Sequence, residues 1–248
     1  MVVLLLLLLT SAISVWGVKQ SLFSEQLARN QLDHVAAREA AETALRDAER
    51  DLLNPGVALR ANASCSRGVA AITPADFSAD CSRGLCALSD VAYAAMDWNK
   101  SSGGEVWWPS AKGGKWNNNF AQKPGRVPAS AGRCNFSGGV PLGTFTGAAP
   151  VKGVARQSEY LVEYFRRKKL RINQQESQAI AGDGNALSWS AMYRITARGF
   201  GYSMQTQVVL QTVVFPDAQQ PAAGQGMADS TAPRLQWREV PGLRTYPD

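Results

Sequence analysis

From residue 2 to residue 18 the chain carries no charge and is dominated by Val and Leu, and the pattern changes at Lys19. A run of this length approaches the ~20 apolar residues with which a helix crosses the hydrocarbon core of a bilayer. Past Lys19 the chain turns polar yet keeps helical spacing. Leu22, Phe23, Leu27, Leu32, Val35, Ala36, Ala40, Ala44, Leu45, Ala48 and Leu52 read as one stripe, the pattern of an amphipathic helix. The opposite face carries Glu25, Arg29, Asp33, Arg38, Glu42, Arg46, Glu49 and Arg50. After Gly17 neither Pro nor Gly occurs until Pro55 and Gly56, which with Asn54 end the helix. The spacing therefore predicts a single helix over residues 1–53, roughly 80 Å long at 1.5 Å per residue. A rod that is greasy at one end and amphipathic at the other needs a partner.

Past Pro150 the period changes from helical to two. Residues 158–170 alternate as a strand, with Tyr160, Val162 and Tyr164 on one face and Leu161, Glu163 and Phe165 on the other. A second strand is predicted over 187–198, with Trp189, Ala191, Tyr193, Ile195 and Ala197 on one face. Gly199, Phe200 and Gly201 read as a turn, and residues 204–215 as a third strand that makes a hairpin with the second. Three consecutive strands with short connections form an antiparallel meander whose one face can lie on the amphipathic part of the helix. The fold class is α+β: a long N-terminal helix, transmembrane then amphipathic, packed against an antiparallel β-sheet. Five parts follow: the apolar helix segment 1–18, its amphipathic continuation 19–53, a loop-rich, disulfide-braced region 54–155, the sheet 156–215, and a loose C-terminal tail 216–248 in which residues 235–240 can add an edge strand.

Three readings of the rod compete. A cleaved signal peptide accounts for the apolar run, with Ala12, Ile13 and Ser14 as a small-residue cleavage site, but the basic n-region is absent and the helical pattern continues past that site. A simple membrane anchor needs only the first part. A helix that sits in the membrane as a monomer and packs in a filament core after assembly needs both.

Length and composition change this picture little. The 248 residues, 45% of them hydrophobic, suffice for one globular domain beyond the helix, and a net charge of +6 permits attraction to anionic surfaces without demanding nucleic acid. Residues 57–150 are rich in Gly, Ala, Ser, Asn and Pro; residues 87–96 could be helical and the remainder reads as loops. Four cysteines, at 65, 81, 86 and 134, fall in the part expected outside the membrane, where an even count favours two disulfides. Of the three connectivities, the short loop from Cys81 to Cys86 favours pairing these two, which leaves Cys65 with Cys134. Zinc fits poorly, because the Cys81 to Cys86 spacing is wrong for a knuckle and the one histidine, His34, lies on the helix.

Candidate chemistry is sparse. Trp98, Trp107, Trp108 and Trp116 sit close together among amides, either as a partner or sugar surface or as the plug of a small core under the loops. Arg166, Arg167, Lys168, Lys169 and Arg171 make a dense basic run, which reads either as a contact for phosphates or an acidic neighbour or as a solvated strand end. No nucleophile elbow, phosphate-binding loop or paired histidine is present, and Asp76, Asp80, Asp90 and Asp97 lack the spacing of a calcium loop. Asn62, Asn99 and Asn135 each begin a glycosylation tripeptide, which matters only in a glycosylating host. No enzyme, cofactor or metal site is expected.

The segment Ser21-Leu22-Phe23-Ser24-Glu25-Gln26-Leu27-Ala28-Arg29-Asn30, followed by Ala36-Ala37-Arg38-Glu39-Ala40-Ala41-Glu42-Thr43-Ala44-Leu45-Arg46-Asp47-Ala48-Glu49, resembles the N-terminal pattern of the PilX family of type IV pilus minor pilins. The resemblance covers residues 5 to 50. Beyond them it rests on Cys81-Ser82-Arg83-Gly84-Leu85-Cys86 and on Tyr193-Arg194-Ile195-Thr196-Ala197-Arg198-Gly199, which is similar to a late strand of these proteins. Pilins also begin with a short basic leader ending in Gly, and many carry a Glu five residues into the mature chain. This sequence has neither, and the expectation is that it starts at an internal Met with the leader upstream.

The resemblance implies a pilin-like fold and a minor pilin of a Gram-negative-type bacterium, joined with other minor pilins in a complex that primes pilus assembly and sits near the tip. It implies single-pass insertion in the inner membrane with the globular part periplasmic, and a place in the pilus after assembly. The expected partners are other minor pilins, the major pilin and a pilus-tip adhesin, with inner-membrane lipid before assembly; nucleic acid is not expected. Leu4, Leu5, Leu6, Leu7, Leu8, Leu9, Ile13, Val15 and Val18 are the expected membrane and filament core, and Leu22, Phe23 and Leu27 the junction. A type II secretion pseudopilin shares the helix and general fold, and an anchored adhesin or binding module using the tryptophans is a reading of a different class.

Overall fold

The structure, a computed structural model, describes residues 1–53, 63–68, 72–87, 105–107, 113–116, 134–168, 189–214 and 234–240. Helix α1, Val2–Leu53, runs unbroken for 52 residues. A 3-10 turn, Pro74–Asp76, precedes strand β1, Leu85–Cys86. Then come β2, Val140–Pro141; β3, Glu159–Lys168; β4, Trp189–Phe200; β5, Gln207–Val214; and β6, Arg234–Glu239. The sheet order is β1-β3-β4-β5-β6, with β2 also on the outer edge of β3. From β3 to β6 every pairing is antiparallel; β1 makes the sheet mixed, running parallel to β3 with Leu85 beside Val162.

Alternation decides which face meets the helix. Tyr160 pairs with Ala197, Val162 with Ile195 and Tyr164 with Tyr193, and these side chains point to α1. The partner stripe on the helix is Ala37, Ala40, Ala41, Ala44, Leu45, Ala48 and Leu52. It is rotated from the stripe read in the sequence: Ala37 and Ala41 belong to it, whereas Leu32 and Val35 are exposed and Ala36 only half-buried. Small residues win here because they let the strands approach the helix backbone. Gly199 completes the fit, since a Cβ there would fall onto the carbonyl oxygen of Ala37 and the amide of Ala41.

The turn predicted at Gly199 lies two residues later. β4 continues through Phe200, residues 201–206 make the turn, and β5 begins at Gln207, leaving Met204 exposed in the turn. The edge strand read at 235–240 is present as β6. The helix end at Asn54, the helix suggested over 87–96, Trp98 and Trp108 fall outside the described residues, apart from Ala87. So do the side chains of the basic run at 166–171.

Candidate functional site

The helix divides at Asp33. Above it α1 is the spine of the domain; below it every residue is exposed. Asp33 accepts hydrogen bonds from the amides of Tyr202 and Ser203 and from the Thr206 hydroxyl, which ties the β4–β5 turn to the helix where it leaves the sheet. On the next position His34 Nε2 lies 3.4 Å from a Glu239 carboxylate oxygen of β6. Leu4 to Leu9, Ile13, Val15 and Val18 are each at least 57% exposed, and Leu22, Phe23 and Leu27 at least 50%. An apolar surface of this extent in water is a large liability, at about 25 cal/mol per Å². The segment is long and apolar enough to cross a membrane.

The upper half of the helix is held by buried charge as well as by apolar contact. Arg67 donates to both oxygens of Asp51 at 2.8 Å, and Tyr160 Oη donates to the same carboxylate at 2.7 Å. Burial and the charge of Asp51 push the Tyr160 hydroxyl well above its usual range. The Arg67 guanidinium also covers the Phe145 ring at 3.9 Å and donates to the carbonyl of Arg83 at 3.0 Å. Four residues earlier, Asp47 accepts from the Gly143 amide at 2.8 Å and from the Thr146 hydroxyl. Burial raises the Asp47 carboxyl from 3.8 to about 6, against these two hydrogen bonds. Asp47 and Asp51 thus fasten residues 65–67 and 141–147 to the helix. Sequence reasoning missed both; their position beside Ala44 and Ala48 on the helical wheel was the available signal.

The far face of the sheet has its own small core of Cys81, Cys86, Val106, Trp107, Trp116 and Leu161. Trp107 Nε1 donates to Glu105 at 2.9 Å and Trp116 Nε1 to the Trp107 carbonyl at 2.9 Å. These two tryptophans are buried, so of the two readings the sequence left open they follow the plug of a small core and not the partner or sugar surface. Arg194 lies between Glu163, at 2.7 Å, and Glu105, so burial raises the Glu163 carboxyl while the guanidinium opposes the shift. Arg198 pairs with Glu159 and stacks over Trp116 at 4.8 Å. Disulfides join Cys65 to Cys134 and Cys81 to Cys86. Among the described residues no group of three or more His, Cys, Asp or Glu is placed to hold a metal ion.

What this geometry can do is mechanical. A rigid, cross-linked domain presents an apolar helical stem, and such a stem is stable only in lipid or against other helices. That defines a class, a folded domain carried on a long apolar helical stem. The chain belongs to the PilX family of type IV pilus assembly proteins: the family model described as type IV pilus assembly protein PilX C-term matches residues 69–216. No curated protein and no solved structure matches it. Membership implies contact with other pilus components.

Proposed function

We propose that the chain is a minor pilin of a type IV pilus, held by residues 2–18 in the inner membrane with its domain in the periplasm. There it joins other minor pilins in a complex that primes assembly, and it stays near the tip with the major pilin below and a tip adhesin beside it. The observation that carries this reading is the division of α1 at Asp33 into a clamped spine and a free apolar stem. In the membrane the stem is solvated by lipid; extracted into a pilus, it exchanges lipid for the helices of neighbouring subunits. The test is deletion of the gene and a count of surface pili by electron microscopy. Loss of pili, restored by complementation, is expected; an unchanged count would overturn the assembly role.

A further inference from the structure

Just above its apolar run the stem differs from one side to the other. Trp16, Lys19, Phe23 and Leu27 follow one another at spacings of three, four and four, so they stack along one face. Phe23 stands five full turns below Ala41, and Leu27 five below Leu45. Ala41 and Leu45 are buried in the core shared with the sheet, so the row runs down the side of the stem over which the domain projects. Glu25 and Ala28 stand five turns below Thr43 and Arg46, which do not belong to the buried stripe. All four residues of the row are exposed, Trp16 at 71% and Phe23 at 65%. Aromatic rings and a lysine with its apolar stem are side chains that settle at the headgroup level of a bilayer.

The domain has a matching edge above this row. The β4–β5 turn, fastened to Asp33, exposes Tyr202 and Met204. Next to it the Ala155 amide donates to the Gly201 carbonyl at 2.8 Å, and Gly153 lies so near the Tyr202 ring that a Cβ would stand 3.3 Å from it. The exposed Lys152 thereby joins the same edge. We infer that before assembly the stem is tilted toward its Phe23 and Leu27 face, and that this turn rests on the anionic headgroups of the membrane that holds residues 2–18. Upright, Asp33 stands roughly 22 Å beyond Val18, and a headgroup layer ~6 Å deep does not reach it. A tilt of about 40°, the upper end of the range for membrane helices, lowers it to roughly 17 Å. A turn about 10 Å to the side of the axis, the spacing of packed elements, drops by about 6 Å more. The headgroup layer and the length of Tyr202 and Met204 close the rest. Glu25 and Arg29, paired at 2.6 Å, stay on the wet side. Lipid is the occupant because the edge continues the surface that residues 2–18 give to the bilayer, and because Lys19 and Lys152 complement anionic headgroups. The inference rests on the reading of the stem as a membrane anchor.

The experiment uses the full-length chain in vesicles of phosphatidylethanolamine and phosphatidylglycerol, with a fluorophore on one added cysteine at a time: Leu9→Cys, Ala28→Cys, Asn30→Cys, Arg50→Cys or Gln205→Cys. Cys65, Cys81, Cys86 and Cys134 are already paired, and every substituted position is exposed. Spin-labelled lipids, carrying the label on the headgroup or on the acyl chain, serve as quenchers. Position 9 should be quenched from the acyl chain. Positions 30 and 205 should be quenched from the headgroup at least twofold more strongly than positions 28 and 50. Adding Lys152→Glu should halve the quenching at 205 and leave that at 9 unchanged. Quenching at 9 with none at 205, equal quenching at 28 and 30, or no response to Lys152→Glu would overturn the tilted contact and leave the anchor standing. So would cross-linking of position 205 to another pilus protein in cells when vesicle lipid does not reach it. Absence of quenching at 9 would sink the membrane reading itself, and the contact with it.

Discussion

Asp47 holds residues 141–147 against α1 through Gly143 and Thr146, with its carboxyl raised from 3.8 to about 6 by burial. The folded state therefore binds a proton that the unfolded chain releases. The contribution of this group to stability is fully present below about pH 4 and is lost as pH rises through 6, by up to about 3 kcal/mol. Asp47→Asn keeps an acceptor for the Gly143 amide and a partner for Thr146 without a charge to desolvate. Its thermal unfolding midpoint should vary less than the parent's between about pH 4.5 and 7.5, and an unchanged slope would show that another group carries the dependence. Beyond their place beside Ala44 and Ala48 on the helical wheel, nothing in the sequence marked Asp47 and Asp51 as buried. A carboxylate on an amphipathic helix ordinarily marks the wet face, and only the partners supplied from far along the chain, Arg67, Thr146 and Tyr160, reverse that rule.

Between elements, β4 approaches the backbone of α1 closely at Gly199. Adding only a Cβ, as in Gly199→Ala, forces the strand off the backbone of Ala37 and Ala41. The expected cost is about 1–3 kcal/mol, read as a lower midpoint in chemical denaturation of the full chain. Cross-linking acts at the same scale. The bridge from Cys65 to Cys134 spans 69 residues and that from Cys81 to Cys86 spans five. Loop entropy then predicts a loss of roughly 4 kcal/mol for Cys65→Ser with Cys134→Ser, against roughly 2 for the shorter pair; equal losses would contradict this ordering. The helix and β3 were readable because their periods are long and unbroken. Rotation of the buried helical stripe onto Ala37 and Ala41 was not, since alanine carries too weak a signal to compete with nearby Leu32 and Val35. The β4–β5 turn was placed early because glycine reads as a turn, while Gly199 serves close packing. Trp107 and Trp116 could not be assigned to core or surface before the fold put Leu161 and the Cys81–Cys86 bridge beneath them.

For the whole molecule, one helix does two kinds of work. Its upper half orders a sheet by small residues and buried ion pairs, and its lower half is covered by none of the described residues. Family membership through residues 69–216 and the exposed stem are independent observations, one in the domain and one below it. The central claim is that the apolar stem acts first in lipid and then among helices. Leu7 lies in that stem at 61% exposure, so replacing it leaves the domain intact. A charge at mid-bilayer costs at least ~2.5 kcal/mol. The most direct measurement is the number of surface pili in a deletion strain complemented with Leu7→Arg, beside one complemented with the unaltered chain. The account predicts pili with the unaltered chain and none with Leu7→Arg; equal numbers in the two strains would contradict it.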